Sequence, residues 1–269
     1  MNRYYSNLLM AFFIMILFVF VHRQSFFLFP IHEMLMTPSD HEEFVLDNDV
    51  GVWFHAGRRT DYLIIYYNGN AGNMSTRTHV IHFIQKEFPD YGIAQFDYPG
   101  YGLSSHLPLH YRDLLDVSVQ VTEKLVRRFR PEKIGLWGES MGAMVMMHVY
   151  NRTDIAIEWM IQVNGLCNLS RAIENVVMWP LYVILSPFVP ERETLATLYC
   201  KKMIDTKYII FHARNDTIVR WEDAADVFLN IRNETRRHIW MITLDGRHEN
   251  AIHLKENQEL IHETIQSYL

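Results

Sequence analysis

The stretch "GESMG", Gly138 to Gly142, is the first feature with chemical content. The G-x-S-x-G pattern lifts a serine onto a tight turn between a strand and a helix. That turn leaves little room for neighbouring side chains, so Gly138 and Gly142 have a physical reason to be glycine. A serine hydroxyl is a weak nucleophile at neutral pH; it needs a base, and the base needs an orienting acid. With the serine on such a turn, acid and base follow in the order Ser, Asp, His, each in a loop after a late strand. "FHARNDTIV" offers Asp216 and "LDGRHENA" offers His248. Asp223 and Asp226 are rival acids but read as helical. His212 and His238 lie in or beside strands, and His253 reads as part of the last helix. The expected set is Ser140 as nucleophile, Asp216 as acid and His248 as base, acting on an acyl carbonyl.

Attack on a carbonyl creates an oxyanion, for which backbone N–H donors must already be in place. One is expected from Met141, the residue after the serine, at a helix N-terminus where the dipole favours negative charge. The second is expected from the loop after the third strand. That loop is "NGNAGN", Asn68 to Asn73, with Asn70 as the best donor and Gly69 as the point where the chain bends. This chemistry requires no metal and no cofactor.

The elements that must hold these loops alternate. "EEFVLDNDVGVWFHAG" reads as two strands with a turn near Asp47–Asp49. "YLIIYY" is a short apolar run of the kind found in a buried parallel strand. Helix is expected over roughly Ser75 to Glu87, then strand "YGIAQFDY", helix Arg112 to Arg128, strand "KIGLWGES", helix "MGAMVMMHVY" and strand "EWMIQVNG". Further on come strand "KYIIFHA", helix "WEDAADVFLN", strand "HIWMITL" and a last helix from about Glu249. Strands alternating with helices predict an α/β fold with a mostly parallel central sheet and helices on both faces. The stretch 170–202 breaks the alternation. It contains "VVMWPLYVILSPFVP" and reads as a short apolar insertion, a candidate lid.

The chain of 269 residues, 49% hydrophobic and 21% charged, is globular and long enough for one substantial core. A net charge of -6 argues against a nucleic-acid binder, which needs a basic face. Cys167 and Cys200 are too few for a disulfide framework, and one bridge between them stays open. Nothing in the pattern sets an oligomeric state. "LLMAFFIMILFVFV", Leu8 to Val21, is unbroken apolar sequence. As a helix it covers roughly 21 Å, against about 30 Å of bilayer hydrocarbon, and flanking Tyr4, Tyr5, His22 and Arg23 extend its reach. A cleaved signal peptide is the alternative, but no small-residue cleavage site follows Val21. The expectation is a single-pass membrane protein whose partner is the bilayer: residues 1–29 as anchor and linker, 30–269 as catalytic domain. Five N-x-[ST] sequons, at Asn73, Asn151, Asn168, Asn215 and Asn233, lean towards a lumenal or extracellular catalytic domain.

Five motifs in order make the chain resemble a known family: "NGNAGN", "FDYPGYGLS", "GESMG", "ND" at Asp216 and "DGRHEN" around His248. It resembles serine hydrolases of the alpha/beta-hydrolase fold, and within them the membrane-anchored group around alpha/beta hydrolase domain-containing protein 13, from about Tyr62 to the C-terminus. The resemblance implies Ser140, Asp216 and His248 as catalytic residues and an N-terminal anchor. One position departs: the group's histidine before the first glycine of the loop is Asn68 here, which predicts altered loop packing with catalysis retained. Asp97 is expected to fix a loop rather than to react. The expected activity is cleavage of an ester or thioester; the apolar segment Val176 to Val189 and the N-terminal stretch favour a lipid-like substrate, such as a lysophospholipid or monoacylglycerol. A protein S-acyl thioesterase is a rival with the same chemistry, and a non-catalytic binding protein on the same fold is a rival of another class.

Overall fold

The computed structural model describes residues 5, 7, 10–15, 17, 25, 27–35, 38–166, 169–189, 206–235 and 238–269. Eight strands form one sheet: β1 (Glu42–Val45), β2 (Gly51–His55), β3 (Tyr62–Tyr67), β4 (Gly92–Phe96), β5 (Lys133–Glu139), β6 (Trp159–Val163), β7 (Lys207–Ala213) and β8 (Ile239–Leu244). Their spatial order is β1-β2-β4-β3-β5-β6-β7-β8. β1 and β2 run antiparallel to their neighbours, and every pair from β4 through β8 is parallel. The helices between strands are α1 (Thr78–Glu87), α2 (Tyr111–Phe129), α3 (Met141–Arg152), α4 (Leu169–Val176), α5 (Trp179–Leu185), α6 (Trp221–Thr235) and α7 (Lys255–Tyr268).

Period-two alternation in the strands sends side chains to two cores. Leu63, Ile65 and Tyr67 of β3 join Leu136, Met160 and Ile210 under α2, α3 and α6. Ile64 and Tyr66 join Trp137, Ile161 and Ile209 under α1 and α7. The mostly parallel sheet with helices on both faces is therefore the observed architecture. The register sets the site: Tyr67 of β3 is paired with Gly138 of β5, so the loops leaving these two strands start side by side. Ligand sites of open parallel sheets form beyond these carboxyl ends.

Several boundaries differ from the sequence reading. The first helix is preceded by a 3₁₀ turn, Met74–Arg77, because Asn73 and Thr76 form a reciprocal capping box. The last helix begins at Lys255, not near Glu249. A 3₁₀ turn, Ala251–His253, intervenes, with His253 in it. The Asn257 side chain holds that loop compact by accepting from Asp245 N and donating to the carbonyls of Asp245 and Ala251. The apolar stretch forms α4, α5 and a 3₁₀ turn, Ser186–Phe188, with Pro180 in the first turn of α5, where a missing N–H costs nothing. Residues 190–205 lie outside the described residues, as do Cys167 and Cys200, on which the disulfide question rests.

The expectation of a single-pass membrane protein with a lumenal or extracellular catalytic domain is corrected. Among the described residues, no helix is long and apolar enough to cross a membrane. Residues 10–15 are helical and the rest of Leu8 to Val21 lies largely outside the described residues, so no bilayer contact follows from this segment. Asn73, one of the five sequon asparagines, is closed to a glycan. Its side chain is buried and its amide donates to Ile31 O (3.0 Å) and Glu33 O (2.8 Å), which leaves no room for a glycan in the folded chain. Residues 27–35 instead dock on the loop after β3: Leu28 is buried in the core, Pro30 bridges to Gly72, and Ile31 N donates to Gly72 O. Contacts thus cross the expected boundary at residue 29.

Candidate active site

Ser140 joins β5 to α3 with φ 51° and ψ −119°, a conformation that costs an L-residue energy and persists only when its surroundings impose it. Here they do. Ser140 N donates to Val163 O at 3.0 Å, and Ser140 O accepts from Ala143 N (3.1 Å) and Leu166 N (2.8 Å). The N-terminus of α3 presses on the end of β3. A Cβ on Gly142 would lie 2.0 Å from Tyr67 O and 2.6 Å from Asn68 O, and one on Gly138 would lie 2.6 Å from Ala143 Cα. Close approach of backbone to backbone therefore accounts for both glycines.

His248 Nε2 stands 2.8 Å from Ser140 Oγ, and His248 Nδ1 stands 2.6 Å from Asp216 Oδ2. The second oxygen of the buried Asp216 accepts from Ile218 N and Val219 N, both at 2.9 Å. With that oxygen occupied by backbone donors, the other is left to fix the tautomer of His248 that carries its proton on Nδ1 and presents a lone pair to the serine. The three side chains thus form one hydrogen-bonded line built from loops after β5, β7 and β8. The rivals do not join it. Asp223 and Asp226 pair with Arg171. His253 packs against His79, with the ring centroids 4.5 Å apart and the rings tilted by 44°. His212 is buried beneath Asp216, with Nε2 2.8 Å from Val219 O and 3.5 Å from Asp216 Oδ2, so it borders the acid without reaching Ser140, and burial lowers its pKa.

The loop after β3 faces this line. A Cβ on Gly69 would lie 3.6 Å from the Ser140 Cβ. Gly69 does not have a positive φ; what favours glycine there is space, since a Cβ would stand 3.2 Å from Arg77 Nη2. Within this loop the left-handed glycine is Gly72, with φ 103°. Asn70 is anchored through its side chain. Its Oδ1 accepts from Phe29 N and Tyr101 OH, both at 3.0 Å, and its Nδ2 donates to Phe27 O at 2.7 Å. Asn68 is buried; its Nδ2 donates to Phe96 O at 2.9 Å, while its Oδ1 has no partner among the described residues. The "FDYPGYGLS" segment braces the loop from below. Asp97 accepts from Met74 N (2.8 Å) and Leu103 N (2.9 Å), and Tyr98 OH donates to Asn68 O at 2.9 Å. Burial pushes the Asp97 carboxyl up to about 6, against the pull of those two N–H donors.

Sequence reasoning missed Asn164. Its Nδ2 donates to His248 O (2.8 Å) and its Oδ1 accepts from Ala213 N (2.8 Å), so one buried amide ties the loop carrying His248 to the end of β7. The available signal was "NG" directly after a strand, a turn dipeptide, and Asn164 indeed has φ 47°. Among the described residues, no group of three or more His, Cys, Asp or Glu side chains is placed to hold a metal ion.

Comparison with known proteins agrees with this architecture. The model of the alpha/beta hydrolase family matches residues 71–248. The chain is 25% identical over 220 residues to the uncharacterized protein R595 of Acanthamoeba polyphaga mimivirus, covering 71% of this chain and 68% of that protein. It is 23% identical over 192 residues to the uncharacterized protein YfhR of Escherichia coli K12, covering 70% of this chain and 63% of that protein. The match therefore spans less than two thirds of YfhR. Among solved structures, the Pyrococcus furiosus esterase Pf2001 superposes with a TM-score of 0.68 at 18% identity, over 90% of this chain and 98% of that one. A highly thermostable carboxyl esterase from Bacillus coagulans gives 0.62 at 14%, over 85% and 98%. At these identities the likeness is one of fold.

Proposed function

The chain belongs to the alpha/beta hydrolase family, and from that premise we propose that it is a serine hydrolase cleaving an ester or thioester through an acyl-enzyme. The observation that carries this reading is the line from Ser140 Oγ to His248 Nε2 (2.8 Å) and from His248 Nδ1 to Asp216 Oδ2 (2.6 Å). His248 takes the Ser140 proton as Oγ bonds to the acyl carbon, and the carbonyl electron pair moves onto oxygen. The N–H groups of Asn70 and Met141 receive that oxyanion. The intermediate collapses as the C–O or C–S bond breaks, and the imidazolium of His248 gives its proton to the leaving group. Water, deprotonated by His248, then releases the acid and restores Ser140. Asp216 keeps the imidazole oriented and stabilises its charged form. No step calls on a metal or cofactor.

A lipid-like acyl substrate, such as a lysophospholipid or monoacylglycerol, is the reading we favour. The exposed apolar side chains of Val176, Met178, Trp179, Leu181 and Val183 on the α4–α5 segment support it. The five shared motifs further support placement near the alpha/beta hydrolase domain-containing protein 13 group. The test is a hydrolysis panel of monoacylglycerols, lysophospholipids and an S-palmitoylated peptide, run on the full chain beside Ser140→Ala. Turnover of the first two that vanishes in the variant is expected. Turnover of the peptide alone would move the assignment to an S-acyl thioesterase. A binding protein would bind such ligands and turn over none of them.

A further inference from the structure

Two charged side chains beside the proposed nucleophile take no part in the proton relay. Glu139 is the last residue of β5 and directly precedes Ser140; Arg77 closes the 3₁₀ turn after the Asn68–Asn73 loop. Arg77 Nε stands 3.4 Å from Glu139 Oε2, an ion-pair separation. Its Nη2 donates to Ala71 O at 2.7 Å, and its Nη1 to Thr76 Oγ1 at 3.2 Å. Thr76 Oγ1 in turn accepts from Asn73 N. Glu139 Oε2 also accepts from Tyr66 OH at 2.6 Å, on the strand from which the loop departs. The result is a closed circuit from β3 through Glu139 and Arg77 to the carbonyl beside Asn70, and back along the loop.

Its placement is specific. A Cβ on Gly69 would lie 3.2 Å from Arg77 Nη2 and 3.6 Å from Ser140 Cβ, so guanidinium and serine flank the same glycine. Both side chains are mostly withdrawn from water, at 17% and 21% exposure, where an ion pair is screened less than on the surface. Burial by itself would lower the Arg77 pKa, but Glu139 and Tyr66 hold it above its usual value. The planar guanidinium hydrogen-bonds Ala71 O and Thr76 Oγ1 in fixed directions while Nε faces the Glu139 carboxylate as an ion pair without a hydrogen bond, a geometry that a lysine ammonium does not reproduce.

We propose that Arg77 and Glu139 are a positioning pair that sets the distance between the Asn70 N–H and Ser140. This rests on the reading of Ser140 as nucleophile. The pair touches no reacting atom. It joins the loop that carries one oxyanion donor to the strand that carries the nucleophile, so its loss displaces the donor without emptying the acyl site. Displacements of about 1 Å cost on the order of 10²-fold in rate.

The test uses the full chain with Arg77→Gln, Arg77→Lys and Glu139→Gln. Three quantities are read: the rate of Ser140 labelling by a fluorophosphonate, kcat and KM for p-nitrophenyl butyrate, and Ki for a trifluoromethyl ketone, whose hemiketal oxyanion mimics the intermediate. Arg77→Gln is expected to lower kcat and labelling by about 10- to 30-fold, leave KM within about threefold, and raise Ki in proportion. Glu139→Gln is expected to lower them about tenfold. Arg77→Lys is expected to restore the melting temperature but not kcat. Folded Arg77→Gln or Arg77→Lys with kcat and labelling within threefold of the parent would overturn the proposal. A raised KM at constant kcat, or a kcat loss that leaves Ki unchanged, would overturn it too. A parent chain with no Ser140-dependent labelling is a different failure: it removes the hydrolase reading first.

Discussion

The two proposed oxyanion donors are held in unlike ways. Met141 stands at the end of a turn made almost wholly of backbone. Ser140 is locked by hydrogen bonds to Val163, Ala143 and Leu166, and Gly142 lies against the carbonyls of Tyr67 and Asn68. Asn70 is held by side chains reaching across the chain: its own amide to Phe27 and Phe29, Tyr101 to its Oδ1, Asp97 to Met74, and Arg77 to Ala71. A site assembled from backbone tolerates no added atoms. A site assembled from side chains degrades in steps, one anchor at a time.

The comparison breaks most sharply at Gly142. Gly142→Ala puts a methyl 2.0 Å from Tyr67 O, where backbone must move. Activity is expected to fall by at least about 10²-fold, with a lower melting temperature, by steady-state kinetics and calorimetry. On the other side, Asn70→Ala keeps the N–H but removes its anchors to Phe27, Phe29 and Tyr101. A loss of about tenfold in kcat with KM nearly unchanged is expected. If Asn70→Ala proved as costly as Gly142→Ala, the distinction between the two halves would be lost.

Asp97→Asn replaces one acceptor by an amide facing an N–H donor, and about 1–3 kcal/mol of stability is expected to go with it. The difference should depend on pH. The folded Asp97 holds its proton up to about 6, above its unfolded value of 3.8, because it is buried. Its favourable contribution is therefore full below about pH 4 and is lost as pH rises through about 6. The stability gap between parent and Asp97→Asn should narrow over that window in urea denaturation curves. The smallest effect is expected at Asn68. Asn68→His restores the histidine of the resembled group and can donate to Phe96 O in place of the amide. Activity should stay within about threefold or rise, and a large loss would mean that the loop packs differently.

How much of this was legible in the sequence follows the same division. "YLIIYY" and the strand–helix alternation announced the sheet because strands buried on both faces carry apolar residues at every position. "GESMG" announced the elbow because close backbone approach demands glycine, which leaves a mark in the local sequence. The loop after β3 left a fainter mark. Asn70 was reached by its place after Gly69, but its partners Phe27 and Phe29 lie 43 and 41 residues away, and no local periodicity encodes them. Asn164 escaped for the same reason, since its partners, Ala213 at the end of β7 and His248 in the loop after β8, lie 49 and 84 residues away. The N-terminal apolar stretch misled because composition does not set the span of a helix: the roughly 21 Å that Leu8 to Val21 would cover was already short of a bilayer.

The central claim is that Ser140 is a nucleophile activated by His248. Its most direct measurement is covalent labelling of the full chain by a fluorophosphonate, read by intact mass and peptide mapping, beside Ser140→Ala and His248→Ala. The account predicts one adduct, on Ser140, absent in the first variant and slowed by at least about 10⁴-fold, towards about 10⁶-fold, in the second. A folded chain that takes no label, or takes it equally well without His248, would contradict it.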